Sequence, residues 1–93
     1  MFKTLEELIA IIRQRKDSSA EESYTKKLLK NKKLSIEKVR EEIAELIDAI
    51  EKNSNKVHES ADVLYHLMVL LEANDIKIED VMNELKKDKN DLR

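Results

Sequence analysis

The chain of 93 residues contains neither glycine nor proline. Glycine supplies the positive φ angles of tight β-turns and of glycine-rich phosphate loops, so its absence argues against turn-dense β structures and against such loops. Helices joined by short polar connections need neither residue. The sequence therefore predicts an all-α fold, a bundle of four to five helices, in a single domain that spans residues 1–93.

Charged residues make up 41% of the chain, yet its formal net charge is only −2. This balance is typical of solvated helix surfaces and not of a globally basic nucleic-acid-binding protein. Cysteine is absent, which excludes a thiolate zinc site and is compatible with a cytoplasmic location. The longest strongly apolar run, residues 63–71, is far shorter than the roughly 20 residues of a membrane span. We therefore expect neither a nucleic acid nor a membrane as partner, and a cytoplasmic protein.

Capping residues and apolar spacing predict where the helices lie in the first half of the chain. The first helix begins at Thr4 and frays around residues 16–18. A second, shorter helix begins near Ser18 or Ser19, each of which is followed three residues later by a glutamate, and it ends near Asn31.

The second half of the chain contains three further predicted helices. The third follows Ser35 as its N-cap and ends at Asn53, since asparagine tolerates the left-handed conformation. The fourth covers about residues 55–73 and the fifth about residues 78–87. We expect residues 88–93 to form a frayed polar tail.

The fourth predicted helix is apolar on more than one side. A step of about 100° per residue places Leu64 at the centre of a core face, with Val63 and Leu70 off one edge and Val69 nearly opposite. A helix that is apolar over so much of its circumference needs two partners, its own core and a second copy of the chain. We therefore expect a homodimer formed through this helix, and the alternative is a central helix wrapped by its own neighbours. The other members of the core face are Val57, Ala61, Leu67, Met68 and Leu71.

Two pairs of acidic residues lie on the third and fourth helices. Glu42 and Glu45 stand three residues apart on the third, with Glu41 beside them, and Glu59 and Asp62 stand three apart on the fourth. Antiparallel packing across the short connection would let these carboxylates converge on one cleft. Like charges at close range oppose folding unless a cation relieves them, and oxygen ligands suit Mg²⁺ or Mn²⁺. The pattern thus indicates a site for a divalent metal ion.

A basic block adjoins these acids. Residues 26–40 contain seven lysines and arginines and one acid, whereas residues 41–62 contain seven acids and two lysines. Lysines beside a metal site suit a polyphosphate ligand. Taken singly, however, acid pairs and lysine runs are more often solvated helix surfaces, and Tyr24, Tyr65 and His66 are more often packing residues.

Three segments carry motifs: SYTKKLL at residues 23–29, KVREEIAE at residues 38–45 and ESADVLYHL at residues 59–67. They resemble the Ser-Tyr-Thr-x-Lys-Leu, Lys-Val-Gly-Glu-Glu-x-x-Glu and Glu-x-Ala-Asp-Leu-Leu-Tyr-His-Leu motifs of the phosphoribosyl-ATP pyrophosphohydrolase family. That family lies within the broader all-α nucleotide pyrophosphohydrolases, which include the MazG-type enzymes. The resemblance covers roughly residues 5–85. Arg40 replaces the usual glycine of the second motif, and the proline that precedes the first motif in the family is missing.

The resemblance implies Mg²⁺-dependent hydrolysis of phosphoribosyl-ATP to phosphoribosyl-AMP and pyrophosphate, the second step of histidine biosynthesis. It implies that Glu42, Glu45, Glu59 and Asp62 bind the metal. Glu41 borders these ligands and either supports them from outside the coordination sphere of the metal or acts as the general base, so the catalytic residues that the resemblance implies are Glu41, Glu42 and Glu45. The substrate-binding residues that it implies are Arg15, Lys27 and Lys38, which would bind phosphates, and Tyr24 and Thr25, which would donate hydrogen bonds to phosphate or ribose.

The sequence leaves open the role of His66 and two other functions. His66 either orients Asp62 or only packs. A MazG-type enzyme would use the same acids on nucleoside triphosphates. A non-enzymatic helical dimer or adaptor would use the basic block for binding, but it would leave the acids of the fourth helix unexplained.

Overall fold

The computed structural model describes residues 1–17 and 23–88. Within those ranges the fold consists of α-helices and contains no β-strand, so the prediction of an all-α protein is confirmed. No helix of the described ranges is both long and apolar enough to cross a bilayer. Of the expected tail, only Asp88 is described, as the last residue of the fifth helix. In chain order the helices are α1 (Lys3–Asp17), α2 (Tyr24–Lys30), α3 (Lys32–Lys52), α4 (Lys56–Ala73) and α5 (Ile78–Asp88).

The start of α2 is set by Ser23. Its backbone is extended, with φ −123° and ψ 160°, and its hydroxyl oxygen accepts a hydrogen bond from the Lys26 N–H at 3.1 Å. This bond satisfies one of the free N–H groups of the first turn, as an N-cap does. The predicted start at Ser18 or Ser19 lies outside the described residues, and the described helix begins at Tyr24.

The prediction that Ser35 caps the third helix is wrong. Asn31 ends α2 and also caps α3, because its side-chain oxygen accepts a hydrogen bond from the Leu34 N–H at 3.0 Å. A cap at Asn31 lets the helix start one turn earlier than a cap at Ser35 would. Ser35 therefore lies inside α3, where it is only 1% exposed.

A tight turn joins α3 to α4. Asn53 and Asn55 both adopt the left-handed conformation, with φ 55° and φ 56°, which confirms the predicted role of Asn53. The N–H of Ser54 donates to the Ala49 carbonyl at 3.0 Å, so the last turn of α3 is closed by the connection itself. Because only three residues separate the two helices, they fold back on each other as an antiparallel hairpin.

The core lies between α1, α2 and α4, around the fully buried side chains of Ile12, Leu28 and Val69. The predicted core face of α4 is therefore only partly right. Met68 packs against the core, but the predicted centre of the face, Leu64, is 47% exposed and Val57 is 85% exposed. Both sides of α4 are apolar, so the periodicity of this helix does not reveal which side meets the core. The positions of α1 and α2 decide it, and they cover the side that carries Val69.

Ion pairs connect α1 to the far end of α4 and to α5. The Arg13 guanidinium donates to both carboxylate oxygens of Glu79, with one bond of 2.9 Å, and its Nε lies 3.5 Å from Glu72. The Lys16 ammonium donates to the Glu72 backbone carbonyl at 3.0 Å and also pairs with Asp75. Hydrogen bonding from Arg13 lowers the pKa of Glu79 to about 2. The two Arg13–Glu79 bonds attach α5 to α1, and among the described side chains of α5 none is buried.

We expect Val69→Ala to lower the free energy of unfolding by about 2 kcal/mol, because it deletes two methyl groups from a fully buried site and leaves a cavity. Ile11→Ala is the matched control, since it removes a larger side chain from a position that is 47% exposed. Its cost should stay below about 1 kcal/mol. Urea unfolding measures both, and equal losses would contradict the assignment of Val69 to the core.

Candidate active site

Five carboxylates from α3 and α4 form what we call the acidic cluster. Glu41, Glu42 and Glu45 each place one carboxylate oxygen within 4.8 Å of the others. Glu59 and Asp62 form a second close group on α4. The two groups face each other, since the charge of Glu45 acts on Glu59 and the charges of Asp62 and Glu59 act on Glu42.

Helix geometry accounts for this convergence. Residues three apart lie on the same side of a helix, which holds Glu42 beside Glu45 and Glu59 beside Asp62. The pairs also lie about equally far from the turn at Asn53, so the antiparallel hairpin brings them to the same level. The structure thus brings together all five acids that the sequence singled out.

Glu42 is the most deeply buried member, with 7% of its surface exposed. Burial raises its pKa to about 7, and a hydrogen bond with Glu45 and the charges of Glu45, Asp62 and Glu59 add to the effect. Burial likewise raises the pKa of Glu59, and the charge of Glu45 adds to it. Burial and like-charge repulsion therefore both disfavour the ionised state of this cluster.

Of the acidic cluster, only Glu41 has a lysine or arginine partner among the described residues, namely Lys38. Among residues 1–17 and 23–88, no lysine or arginine forms an ion pair with Glu42, Glu45, Glu59 or Asp62. The Oε2 atom of Glu59 is buried and has no hydrogen-bond partner in the part of the chain that the structure describes. A buried carboxylate oxygen without a donor is costly. The residues therefore fit a hard divalent cation, which takes oxygen ligands and would satisfy the free atom.

His58 also borders the cluster, and the interpretation of the sequence missed it. Its Nε2 atom lies 3.3 Å from Asp62 Oδ2 and 3.9 Å from Glu59 Oε1, and the ring is exposed. The signal in the sequence was the spacing of four residues between His58 and Asp62, which places both on one side of α4. Imidazole nitrogen is a ligand for transition metals such as manganese and zinc, so His58 adds a nitrogen donor to an otherwise all-oxygen set.

Two of the expected substrate-binding residues, Tyr24 and Thr25, lie in the first turn of α2. The Tyr24 hydroxyl is hydrogen-bonded to His66 Nε2 at 2.8 Å, and the Thr25 hydroxyl is hydrogen-bonded to the Tyr65 hydroxyl. Burial raises the pKa of Tyr24, and the charges of Lys38, Glu42 and Glu41 also act on it. Tyr24 therefore stands at the border of the acidic cluster.

His66 does not contact the Asp62 carboxylate. Its Nδ1 atom is hydrogen-bonded to the backbone carbonyl of Asp62 at 2.8 Å, and the other ring nitrogen meets Tyr24. The ring is 7% exposed. Of the two alternatives for His66, these contacts support packing, because the buried ring meets the rings of Tyr24 and Tyr65 edge-on and is hydrogen-bonded to Tyr24, not to the Asp62 side chain.

The three expected phosphate-binding cations lie at different distances from the acids. The Lys38 ammonium is 3.3 Å from the Glu41 carboxylate and so borders the cluster directly. Arg15 lies in the last turn of α1 and Lys27 in the last turn of α2, and both are exposed. Within the described part of the chain, neither forms an ion pair with the acidic cluster.

Comparison with known proteins decides which family contains this site. Residues 5–89 match the family described as phosphoribosyl-ATP pyrophosphohydrolase. The chain belongs to this family. The matched segment includes the whole acidic cluster and the first turn of α2, so the resemblance carried by the three motifs is confirmed.

Relatives within the pyrophosphohydrolase family carry two kinds of name. The chain is 38% identical over 91 residues to the "Phosphoribosyl-ATP pyrophosphatase" of Methanococcoides burtonii, with 92% of each chain covered. It is 41% identical over 88 residues to the protein of the same name from Haloarcula marismortui, with 89% of this chain and 90% of that one covered. It is 48% identical over 84 residues to the "Histidine biosynthesis bifunctional protein HisIE" of Pyrococcus furiosus, with 89% of this chain and 40% of that one covered.

The raised pKa of Glu42 makes the free energy of unfolding depend on pH. The folded chain keeps the Glu42 proton up to about pH 7, whereas the ordinary pKa is 4.5. Between these values the folded state binds more protons than the unfolded state, so the free energy of unfolding falls as pH rises. Glu42→Gln should flatten this fall in metal-free protein, as measured by urea unfolding in EDTA across the same pH range.

Glu51→Gln is the matched control, because Glu51 is an exposed glutamate on the same helix. We expect it to keep the pH dependence of the unmutated chain. A Glu42→Gln protein whose stability falls with pH as steeply as that of the unmutated chain would contradict the raised pKa.

Proposed function

We propose that this chain hydrolyses phosphoribosyl-ATP to phosphoribosyl-AMP and pyrophosphate, the second step of histidine biosynthesis, with Mg²⁺ as cofactor. Family membership supports the reaction. The single observation that carries the metal requirement is the convergence of four carboxylates that have no lysine or arginine partner among the described residues. One of them, Glu59, keeps a buried oxygen atom that has no hydrogen-bond partner there.

Glu42, Glu45, Glu59 and Asp62 would bind Mg²⁺. The bound ion would neutralise charge on the polyphosphate and lower the pKa of a bound water. The raised pKa values of Glu42 and Glu59 are consistent with this role, because the burial and like charges that raise them also favour a bound cation.

Glu41 and Lys38 form a pair with a separate role. Glu41 is exposed beside the proposed ligands, and its carboxylate is held by Lys38 at 3.3 Å. A substrate phosphate would compete for the Lys38 ammonium, because phosphate oxygens are strong acceptors for lysine. The Glu41 carboxylate would then be free to accept a proton from the attacking water as the general base.

Arg15 and Lys27 remain candidates for phosphate binding that rest on the family motifs. Both are exposed at the C-terminal ends of their helices. An extended polyphosphate substrate can reach cations that lie outside the acidic cluster, so their separation from it is compatible with binding.

The decisive assay measures pyrophosphate release from phosphoribosyl-ATP, with ATP and deoxynucleoside triphosphates alongside, with Mg²⁺ and with EDTA. We expect turnover of phosphoribosyl-ATP that requires Mg²⁺. Preference for deoxynucleoside triphosphates would assign the chain to MazG-type chemistry at the same metal site. A folded protein that turns over none of them would favour the non-enzymatic helical dimer or adaptor.

Glu45→Gln is the variant that links this assay to the acidic cluster. We expect it to lower kcat by at least about 100-fold, because it removes a proposed metal ligand while keeping the shape of the side chain. Glu51→Gln, on the exposed surface of the same helix, should retain the kcat of the unmutated chain. Near-normal turnover by Glu45→Gln would exclude Glu45 as a ligand.

We also propose a homodimer, although through a different side of α4 than the sequence suggested. Val69, which had been assigned to the second apolar side, is fully buried in the core. Apolar side chains of α3 and α4 remain exposed by 40% to 85%, and their spacing places those of each helix on one side of it. Exposed apolar surface of this extent marks an interface. Its members are Ile36, Ile43, Ile47, Ile50, Val57 and Leu64.

Light scattering should give a mass of twice 10.9 kDa for the unmutated chain. Leu64→Lys should shift that mass toward the monomer, because it places a charge in the proposed interface. Met82→Lys is the matched control, since Met82 is 45% exposed, close to the 47% of Leu64, but lies on α5. A monomeric mass for the unmutated chain at a concentration of tens of micromolar would contradict the proposed homodimer.

A further inference from the structure

Hydrogen bonds join two adjacent residues of α2 to two adjacent residues of α4. The Tyr24 hydroxyl is hydrogen-bonded to His66 Nε2 at 2.8 Å, and the Thr25 hydroxyl to the Tyr65 hydroxyl. The rings also pack together. Tyr24 stacks on Tyr65 with centroids 6.3 Å apart, and His66 meets both edge-on at 5.7 Å and 5.0 Å.

The hydrogen-bond network fixes the direction of the bond between Tyr24 and His66. The Asp62 backbone carbonyl, 2.8 Å from His66 Nδ1, can only accept a hydrogen bond, so the hydrogen lies on Nδ1. In the neutral ring the other nitrogen, Nε2, then carries a lone pair. Tyr24 must therefore donate its hydroxyl hydrogen to His66.

This direction determines what Tyr24 can offer to a ligand. A tyrosine hydroxyl has one hydrogen, and once that hydrogen is donated only oxygen lone pairs remain. Phosphate oxygens are also acceptors, so they are poor partners for such an atom. A hydroxyl or amino group of a substrate is a suitable partner, because it donates.

The position of Tyr24 makes this relevant to the proposed substrate. Its side chain reaches the buried His66 at one end, yet the residue is 47% exposed. The charges of Lys38 and Glu42 act on it, so it lies at the border of the acidic cluster. Tyr24 is therefore tied to the core through its hydroxyl and partly exposed beside the acidic cluster.

We propose that His66 is a positioning residue that holds Tyr24 with its hydroxyl hydrogen turned inward, so that Tyr24 accepts a hydrogen bond from a hydroxyl or amino group of the substrate and does not donate to a phosphate. This inference rests on the proposed function. It replaces the expectation that Tyr24 donates to phosphate or ribose.

The kinetic test compares Tyr24→Phe, His66→Leu and the double variant, with kcat and KM for phosphoribosyl-ATP measured beside the melting temperature. Each single variant should raise KM about tenfold with little change in kcat, because both remove the same contact to bound substrate. The double variant should be no worse than either single one, since the two residues act as one unit. His66→Gln should partly restore KM, because its amide oxygen can accept the Tyr24 hydrogen.

Arg13→Met is the matched control for a purely structural effect. It removes the cross-helix hydrogen bonds of Arg13 to Glu79, which lie at the other end of α4 from the acidic cluster. We expect it to lower the melting temperature and leave KM unchanged. If Tyr24→Phe and His66→Leu behave like Arg13→Met, the two residues are merely structural and the proposal is overturned; additive effects on KM in the double variant would overturn it as well.

A spectroscopic measurement tests the direction of the bond without any turnover. Long-range ¹H–¹⁵N correlation spectra of the imidazole should show His66 with a protonated Nδ1 and an unprotonated Nε2. In Tyr24→Phe the tautomer should persist and the Nε2 resonance should shift, because its donor is gone. A hydrogen on Nε2 in the unmutated chain would overturn the proposal, even if His66→Leu does not fold.

Failure of the proposed function gives a different result from failure of this inference. An unmutated chain that releases no pyrophosphate from phosphoribosyl-ATP would overturn the proposed function, and with it the substrate contact of Tyr24. An unmutated chain that is active, beside variants with unchanged KM, would overturn only the inference.

Discussion

The antiparallel packing of α3 on α4 is the constraint on which the rest of the structure depends. It brings four carboxylates to the same level of the hairpin, where burial and mutual repulsion raise the pKa of Glu42 to about 7. A folded chain can tolerate such a cluster only if the surrounding packing compensates for it or a cation neutralises it. The chemistry of the site is therefore inseparable from the way the hairpin closes at Asn53 and Asn55.

The helix α4 serves three purposes. One side presents Glu59 and Asp62 to α3 near the start of the helix and buries Val69 and Ala73 in the core near its end, while the opposite side leaves Leu64 exposed. The first four share a side because residues three or four apart do so in an α-helix, and the spacing from Glu59 to Ala73 consists of such steps. The consequence is that α4 has no single polar face, which is why its periodicity was ambiguous.

The two ends of the bundle differ in their electrostatics. Near the start of α4 the carboxylates repel one another, whereas near its end Glu72 accepts bonds from Arg13 and Lys16. Glutamate is thus paired with cations at one end, whereas Glu42, Glu45 and Glu59 at the other end have no lysine or arginine partner within the described ranges. Exposed ion pairs contribute little stability individually, so the main effect of the second group is to hold α1 and α5 in place.

The sequence by itself determined the features that depend on local chemistry. The absence of glycine and proline predicted the all-α class, the left-handed tendency of asparagine predicted the end of α3 at Asn53, and the three motifs identified the family. The pairing of acids three residues apart was also readable, since helical spacing alone places them on one side. His58 followed from the same rule and could have been found with it.

Only the tertiary structure decided what depends on contacts between elements. Periodicity describes one helix, and burial depends on which neighbours cover it, so the sequence placed Leu64 in the core and the structure placed Val69 there. Asn31 and Ser35 are both suitable caps, and the path of the chain between α2 and α3 selected Asn31. The partner of His66 lies 42 residues away along the chain, and no local pattern predicts a bond over that separation, because it forms only when α2 packs on α4.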